Sequence, residues 1–258
     1  YFLIFTLELG ISGAAIAPSL AEMGSLIVLC LYTKAKIDKE KYGLKPVYDG
    51  QLLIKVLNLS VWSMLHAFIS VAPWFLFFVA IEHLGKTELA ISNITRSVSA
   101  IFFVIANSFA VTTGSLVSNA IGARARNELF PICHKVLKLG YAVGIPFVVV
   151  ALLCNRWIVS FYTDNELLIE LAFAPFVMML LNYTFALPGY VYLNAVGGTG
   201  KTKITFLSQV TTTCVYLVYL YWLSFCIKAS LSLYLTAEYL FVILLALQSI
   251  IYLKSKHY

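Results

Sequence analysis

Long apolar segments separated by short polar stretches dominate the chain. The apolar segments cover about residues 11–32, 60–82, 91–117, 136–154, 171–194, 204–226 and 231–253. Several reach the roughly 20 residues needed to cross a hydrocarbon core. They are too long for strands and do not alternate strictly, and lipid admits only helices and closed barrels. We therefore predict an all-α, polytopic membrane bundle of about seven transmembrane helices, with residues 1–9 as the frayed end of an eighth.

Composition excludes an ordinary soluble domain. Of 258 residues, 61% are hydrophobic and 12% are charged, whereas a soluble domain carries about 25% charged residues. So few charges cannot cover a water-exposed surface. The chain also opens on an apolar stretch at Tyr1, without an initiator Met or a basic leader. We expect it to be a fragment or a truncated product of a longer polypeptide.

Basic residues alternate between successive loops. From the loop after the first span to the C-terminus, the loops carry 6, 1, 4, 1, 2, 1 and 2 lysines and arginines. Positively charged loops stay in the cytoplasm, so we place 34–59, 122–135, 195–203 and the C-terminal segment inside. We predict a multi-pass protein of the plasma (inner) membrane with a cytoplasmic C-terminus. The net charge of +6 is then a topology signal and requires no nucleic acid.

Arg96 is the one basic residue outside these loops. It lies about a turn and a half into the third span, where an ionisable group is costly and usually faces a bundle interior or a wet cavity. The alternative is a side chain that snorkels to the outer surface. Asn107 follows eleven residues later, three helical turns on, and therefore shares the same face. Both are candidates for a substrate cleft.

A second polar stripe runs along the fifth span. Tyr183, Tyr190 and Asn194 share one helical face, and Pro188 is expected to interrupt the helix between them. The tyrosine rings suit contact with a cation, and we add these three residues to the substrate-cleft candidates. Ordinary helix packing is the alternative, because polar residues also concentrate at helix interfaces in membranes.

Three carboxylates lie in or beside spans, namely Glu22, Glu82 and Glu238. Glu22 is midway along the first span, and Glu82 ends the second, close enough for a contact with Arg96. A carboxylate in lipid is a natural carrier of a proton or a sodium ion, because its charge depends on a partner. All three carboxylates are therefore candidates on physical grounds, and we take Glu22 and Glu82 as the candidates for a coupling-ion site.

The stretch AVGGTGKT at 195–202 is close to a phosphate-binding loop, G-x-x-x-x-G-K-[ST], but has Ala195 in place of the first glycine. A membrane-length helix precedes it where that loop needs a strand, so we expect a tight cytoplasmic turn made possible by Gly197, Gly198 and Gly200. The sequence holds no catalytic triad and no metal-ligand cluster. We therefore predict neither an enzyme nor a cofactor or metal.

Four stretches carry a resemblance to a known family. They are LGISGAAIAPSLAEM at 9–23, WFLFFVAIEHLG at 74–85, GSLVSNAIGARARNELFPICHKVLKL at 114–139 and NAVGGTGKTK at 194–203. In order and spacing they resemble a transporter of the multidrug and toxic compound extrusion (MATE) family.

The resemblance implies two bundles of six helices with a cleft between them. Residues 1–33 would then end the N-terminal lobe, 34–59 would form a cytoplasmic linker, and 60–258 would form the C-terminal six-helix lobe. The remaining part of the N-terminal lobe would be a partner supplied by the same protein.

The resemblance also implies secondary active efflux of small organic compounds, amphipathic or cationic, in exchange for Na⁺ or H⁺ with alternating access. Relatives with a sodium site in the second bundle place acids near the positions of Ser70 and Ala186, and neither is acidic here. Either Glu82 or another group replaces them, or coupling resides in the first bundle, which is our working expectation.

Two rival functions remain open. A lipid-linked saccharide flippase of similar fold would need a strongly cationic cavity, and Arg96 is a single intramembrane cation. A truncated, non-transporting fragment is the other rival, and the coding sequence upstream of Tyr1 would discriminate it from a transporter.

Overall fold

In the computed structural model, seven helical stretches among the described residues are long and apolar enough to cross a membrane. The structure describes residues 2–6, 8–37, 48–227 and 230–255, and no strand occurs among these residues. Residues 38–47 of the predicted linker, Lys228 and residues 256–258 lie outside the described residues. The predicted all-α fold with seven spans is confirmed.

Ten α-helices follow one another along the described chain. They are α1 Gly10–Lys36, α2 Gly50–Glu82, α3 Lys86–Gly122, α4 Leu129–Leu153, α5 Asn155–Ser160, α6 Glu166–Leu171, α7 Phe173–Leu181, α8 Tyr183–Gly198, α9 Thr202–Trp222 and α10 Leu231–Ser255. Helix α2 begins well before the apolar span predicted from residue 60. Asp49 explains this early start, because its Oδ1 accepts hydrogen bonds from the backbone N–H groups of Gln51 and Leu52.

The fifth span, Glu166–Gly198, is divided into α6, α7 and α8. The breaks fall at Ala172 and Asn182, and α8 continues through Pro188. The prediction that Pro188 interrupts the helix is therefore wrong. A proline cannot donate to the carbonyl four residues earlier. Here the Thr184 carbonyl accepts a hydrogen bond of 2.7 Å from Tyr141 Oη on α4 instead.

The chain divides into two compact units, Tyr1–Leu53 and Ile54–Tyr258. In the first unit a single π-helical turn, Phe2–Thr6, leads into α1. The two meet closely, since a Cβ on Gly13 would lie 2.6 Å from the Leu3 carbonyl oxygen. Most apolar side chains of α1 are exposed, as expected of a helix that contacts lipid. The assignment of residues 1–33 to another lobe stays a prediction.

In the second unit, α8 packs chiefly against α3 and α10, with α4 and α9 beside it. Small residues permit close approach, which matters in lipid because packing replaces much of the hydrophobic driving force. A Cβ on Gly189 of α8 would lie 2.8 Å from the Val242 carbonyl oxygen of α10. On α4, a Cβ on Gly140 would lie 2.8 Å from the Leu187 side chain. Helix α8 is thus enclosed on several sides.

The AVGGTGKT stretch forms the turn between α8 and α9. Only Gly200 of its three glycines has a positive φ, 81°, which a residue with a side chain rarely adopts. Gly197 and Gly198 are the last residues of α8. The chain reversal therefore depends on Gly200, while Gly198 serves helix packing: a Cβ there would lie 2.5 Å from the Gly114 carbonyl oxygen.

Candidate functional site

A cavity of about 360 Å³ lies within the second unit, with walls from α2, α3, α7, α8 and α10. We call it the aromatic cavity. Its wall includes Trp74, Phe103, Tyr183 and Tyr190 together with Arg96 and Glu238. Aromatic surface with a small number of polar groups is the usual lining of a small-molecule site.

Arg96 and Glu238 form a buried ion pair at the wall of this cavity. The distance from Arg96 Nη2 to Glu238 Oε1 is 2.5 Å, and the two side chains are 8% and 16% exposed. The guanidinium carbon of Arg96 also lies 4.1 Å from the centre of the Phe77 ring. The ion pair with Glu238 and the contact with the Phe77 ring together offset the cost of placing the Arg96 charge inside a membrane span.

Tyr216 completes this cluster from α9. Its hydroxyl lies 3.1 Å from Glu238 Oε1 and donates to it, and lies 3.4 Å from the Pro73 carbonyl oxygen. The Tyr216 ring is fully buried and meets Phe241 edge to face at 5.6 Å. Side chains from α3 and α9 therefore converge on the carboxylate of α10, and the Tyr216 hydroxyl also reaches a carbonyl of α2.

Two buried polar atoms beside the ion pair have no hydrogen-bond partner, namely Arg96 Nε and Asn182 Oδ1. Both residues are 8% exposed and both line the cavity. Asn182 stands at the break between α7 and α8. A buried polar atom without a partner costs free energy, so a hydrogen bond to either atom would stabilise the site.

The substrate-cleft candidates from the sequence are only partly brought together. Arg96, Tyr183 and Tyr190 line the aromatic cavity. Asn107 is exposed on α3 and is not part of this lining. Asn194 lines a different pocket and donates through Nδ2 to the Tyr190 carbonyl oxygen at 3.0 Å.

The coupling-ion candidates lie outside the aromatic cavity. Glu82 is the exposed last residue of α2, and Arg96 pairs with Glu238 rather than with Glu82. Glu22 is exposed on α1 in the first unit. The roles proposed for Glu22 and Glu82 stay predictions.

Tyr183 lines the cavity and also joins α8 to α4. Its hydroxyl donates a 2.8 Å hydrogen bond to the Gly140 carbonyl oxygen of α4. A Cβ on Gly144 would lie only 2.1 Å from that hydroxyl, so glycine provides the space for the ring. Tyr190 instead meets Phe103 of α3 edge to face at 5.5 Å.

The positions where the resemblance places acids in sodium-coupled relatives also reach this cavity. Ser70 and Ala186 both line it. The carboxylate in this chain comes from α10 instead, as Glu238, and it is already paired with Arg96. The two positions that the resemblance singles out are thus uncharged in this chain, and the carboxylate at the cavity comes from another helix.

Sequence reasoning missed the roles of Asn182 and Tyr216 and left Glu238 without a partner. One signal was available for Glu238. An arginine inside a span requires a counter-charge, and few carboxylates lie within the apolar segments. No local pattern identified Asn182 or Tyr216.

A second pocket, of about 390 Å³, lies near the turn between α8 and α9. We call it the glycine pocket; its wall includes Ser63, His66, Gly114, Ser118, Asn194 and Gly198. The Ser63 hydroxyl donates to a carbonyl of its own helix, and Ser118 donates both to Gly114 and across to Gly198. Neither pocket holds three or more metal-ligating side chains, and no such group occurs elsewhere in the described residues.

Comparison with known proteins identifies the family. A family model described as MatE matches residues 63–223, more than half of the chain. The chain belongs to the MatE family. No significant match was found among curated proteins.

The MatE assignment agrees with solved structures. A MATE protein in complex with MaL6 superposes with a TM-score of 0.83 at 17% identity, covering 99% of this chain and 58% of that one. The outward-facing conformation of a multidrug resistance MATE family transporter gives a TM-score of 0.84 at 17% identity, with the same coverage. A MOP superfamily transporter from Pyrococcus furiosus, described as having a binding pocket of reverse polarity, gives 0.64 at 17% identity over 76% of this chain and 43% of that chain.

At this level of identity the similarity establishes a shared fold. This MatE chain is a multi-pass membrane protein with seven candidate spans. It covers 58% of the length of the first two solved relatives.

Proposed function

We propose that this MatE chain forms one lobe of a two-lobe transporter that exports small organic compounds in exchange for Na⁺ or H⁺. The observation that supports this most directly is the aromatic cavity, which combines ring walls with a buried ion pair inside a MATE fold. Alternating access would come from rocking one lobe against the other around a site near the membrane midplane.

The size and lining of the cavity fit an amphipathic organic compound. Its volume of about 360 Å³ lies in the range of about 300 to 1,000 Å³ that is typical of small-molecule sites. Trp74, Phe103 and Tyr190 offer apolar area, while the ion pair and Asn182 offer polar contacts.

We place the coupling ion away from the Arg96–Glu238 pair. Glu238 Oε1 already accepts from Arg96 and Tyr216, and a cation bound there would face the positive charge of Arg96 at close range. This favours coupling in the other lobe. Glu82 is the alternative within the second unit, and Glu22 would belong to the N-terminal lobe if residues 1–33 end it.

The ion pair also disfavours a lipid-linked saccharide flippase. Such a protein needs net positive charge to hold a pyrophosphate, and Glu238 neutralises Arg96 in this cavity.

Transport in proteoliposomes tests the proposal. The two-lobe protein containing this chain should move a fluorescent organic dye when a Na⁺ or an H⁺ gradient is imposed across the vesicle membrane. Absence of gradient-dependent flux for a panel of dyes would refute transport. Glu82→Gln should retain coupling if the ion binds in the other lobe, with Glu128→Gln as a control outside the apolar spans, and loss of coupling in Glu82→Gln alone would assign the ion to Glu82.

We further propose that the turn at 195–203 and the C-terminus face the cytoplasm of a plasma (inner) membrane. The alternation of basic residues between loops supports this orientation. A green fluorescent protein fused after Tyr258 should fluoresce, and an alkaline phosphatase fused there should be inactive. The opposite pair of results would reverse the topology.

A further inference from the structure

The aromatic cavity contains one positive and one negative side chain, and their charges cancel. We propose that this cavity binds amphipathic compounds of zero net charge, zwitterions above all, and that the Arg96–Glu238 pair sets this preference. The inference rests on the proposed function only in taking the bound compound to be cargo.

A ligand with a single charge fits this arrangement poorly. A cation would have to take Glu238 away from Arg96, and the guanidinium would then remain 8% exposed without its counter-charge. An anion that took Arg96 would leave the Glu238 carboxylate without a positive partner, with only the Tyr216 hydroxyl donating to it. Breaking a buried pair by removing one partner is strongly unfavourable, because an uncompensated charge stays out of water.

A zwitterion avoids this penalty. Its ammonium group can take the place of Arg96 beside Glu238 while its carboxylate takes the place of Glu238 beside Arg96, so that every charge keeps a partner. A neutral compound leaves the pair between Arg96 and Glu238 intact. Neither kind of ligand leaves a buried charge without a partner.

The walls of the cavity favour ring compounds. Phe103 and Tyr190 meet edge to face at 5.5 Å, and Trp74 lies in the same lining. Offset or edge-to-face ring contact adds to the apolar area that a planar ligand buries. The expected ligand is therefore an aromatic body with either no charge or one charge of each sign.

Three indole compounds provide matched probes, since they share a ring and differ in charge: tryptamine is cationic, indole-3-acetate is anionic and tryptophan is zwitterionic at pH 7. Equilibrium dialysis of the radiolabelled probes against the 258-residue chain in lipid nanodiscs measures binding without requiring transport. We expect tryptophan to bind at least about tenfold more tightly than either singly charged probe. Equal binding of all three probes, or tightest binding of a charged one, would overturn the proposal.

Charge variants then test whether the ion pair is responsible. Arg96→Gln leaves Glu238 and should move the preference about tenfold towards tryptamine, whereas Glu238→Gln leaves Arg96 and should move it towards indole-3-acetate. The exchanged variant Arg96→Glu/Glu238→Arg keeps both charges, so its preference for tryptophan should persist even where a single variant fails to fold. An unchanged order in the single variants, or a charged preference in the exchanged one, counts against the proposal.

The exposed pair Arg156–Glu166 supplies a matched control. Its two side chains are 76% and 78% exposed, so Arg156→Gln changes the charge of the protein without changing the cavity. This variant should bind the probes in the wild-type order. Failure of transport with the binding order intact would reject the proposed function alone, whereas flux with a different binding order would reject only the charge preference.

Discussion

The aromatic cavity and the glycine pocket lie against the same two helices, α3 and α8, yet opposite kinds of side chain build them. At the aromatic cavity, rings separate the helices, with Phe103 and Tyr190 in contact at 5.5 Å. At the glycine pocket the backbones almost touch, since a Cβ on Gly198 would lie 2.5 Å from the Gly114 carbonyl oxygen. The two helices are thus close at one end and held apart at the other.

The polar groups differ as well. At the glycine pocket, hydroxyl groups donate to backbone carbonyls, Ser63 within its own helix and Ser118 both to Gly114 and across to Gly198. At the aromatic cavity the polar contacts join different helices, through Arg96, Glu238 and Tyr216. The comparison indicates that backbone contact holds the two helices together at the close end, while the open end brings charged and polar side chains from different helices together.

The largest effect is expected from the buried ion pair. Arg96→Gln should lower the free energy of unfolding by about 3 to 5 kcal/mol, because it leaves Glu238 buried without its partner. Arg156→Gln, at the exposed pair, should cost at most about 1 kcal/mol. Unfolding in mixed micelles titrated with SDS measures both free energies. Equal losses in the two variants would show that the buried pair stabilises the fold no more than the exposed pair does.

The next effect concerns the close end of the helix pair. Gly198→Ala should destabilise the protein by about 1 to 3 kcal/mol, because the new methyl group meets a backbone carbonyl that cannot rotate away. Gly122→Ala on α3 is the control, since a Cβ there meets nothing within 4 Å. The thermal midpoint of the monodisperse protein reports the difference, and a Gly198→Ala variant as stable as the control would contradict the close approach of α3 and α8.

A smaller effect is expected at the wall of the aromatic cavity. Tyr183→Phe keeps the ring but removes the hydrogen bond to the Gly140 carbonyl oxygen, and should cost about 0.5 to 1.5 kcal/mol. Tyr221→Phe is the control, because Tyr221 is 64% exposed. If the two variants unfold at the same SDS fraction, the Tyr183 hydroxyl contributes nothing measurable.

The smallest effect separates two serines on one face of the glycine pocket. Ser118 donates both to its own helix and to Gly198 of α8, whereas Ser115 donates within α3 to Val111. Ser118→Ala should therefore cost about 0.5 kcal/mol more than Ser115→Ala. A larger loss in Ser115→Ala would mean that the bridge to α8 is not what stabilises this end.

The membrane spans could be predicted from sequence because hydropathy is a local property of each segment. The early start of α2 was missed because it depends on one cap, Asp49. The partner of Arg96 was missed for a different reason: Glu238 is 142 residues away along the chain, and local pattern carries no information about such a contact.

Asn107 illustrates a further limit of sequence reasoning. Helical phase predicts that it shares a face with Arg96, but Arg96 is buried and Asn107 is exposed, and eleven residues correspond to about 16 Å along the axis. A shared face therefore does not imply a shared cavity, and Asn107 is not part of the lining that Arg96 joins. Tyr183 and Tyr190 share a helical face and lie within two turns of each other, and both line the cavity.

The hydrogen bond from Tyr141 to the Thr184 carbonyl has a consequence for how this family varies. Pro188 deprives that carbonyl of its helical donor, and Tyr141 on α4 replaces it at 2.7 Å. Loss of the tyrosine should be tolerated only where the proline has also been lost. In an alignment of relatives, positions 141 and 188 should therefore covary. The hydrogen bond from the tyrosine of one helix would replace the backbone hydrogen bond that the proline removes from the other.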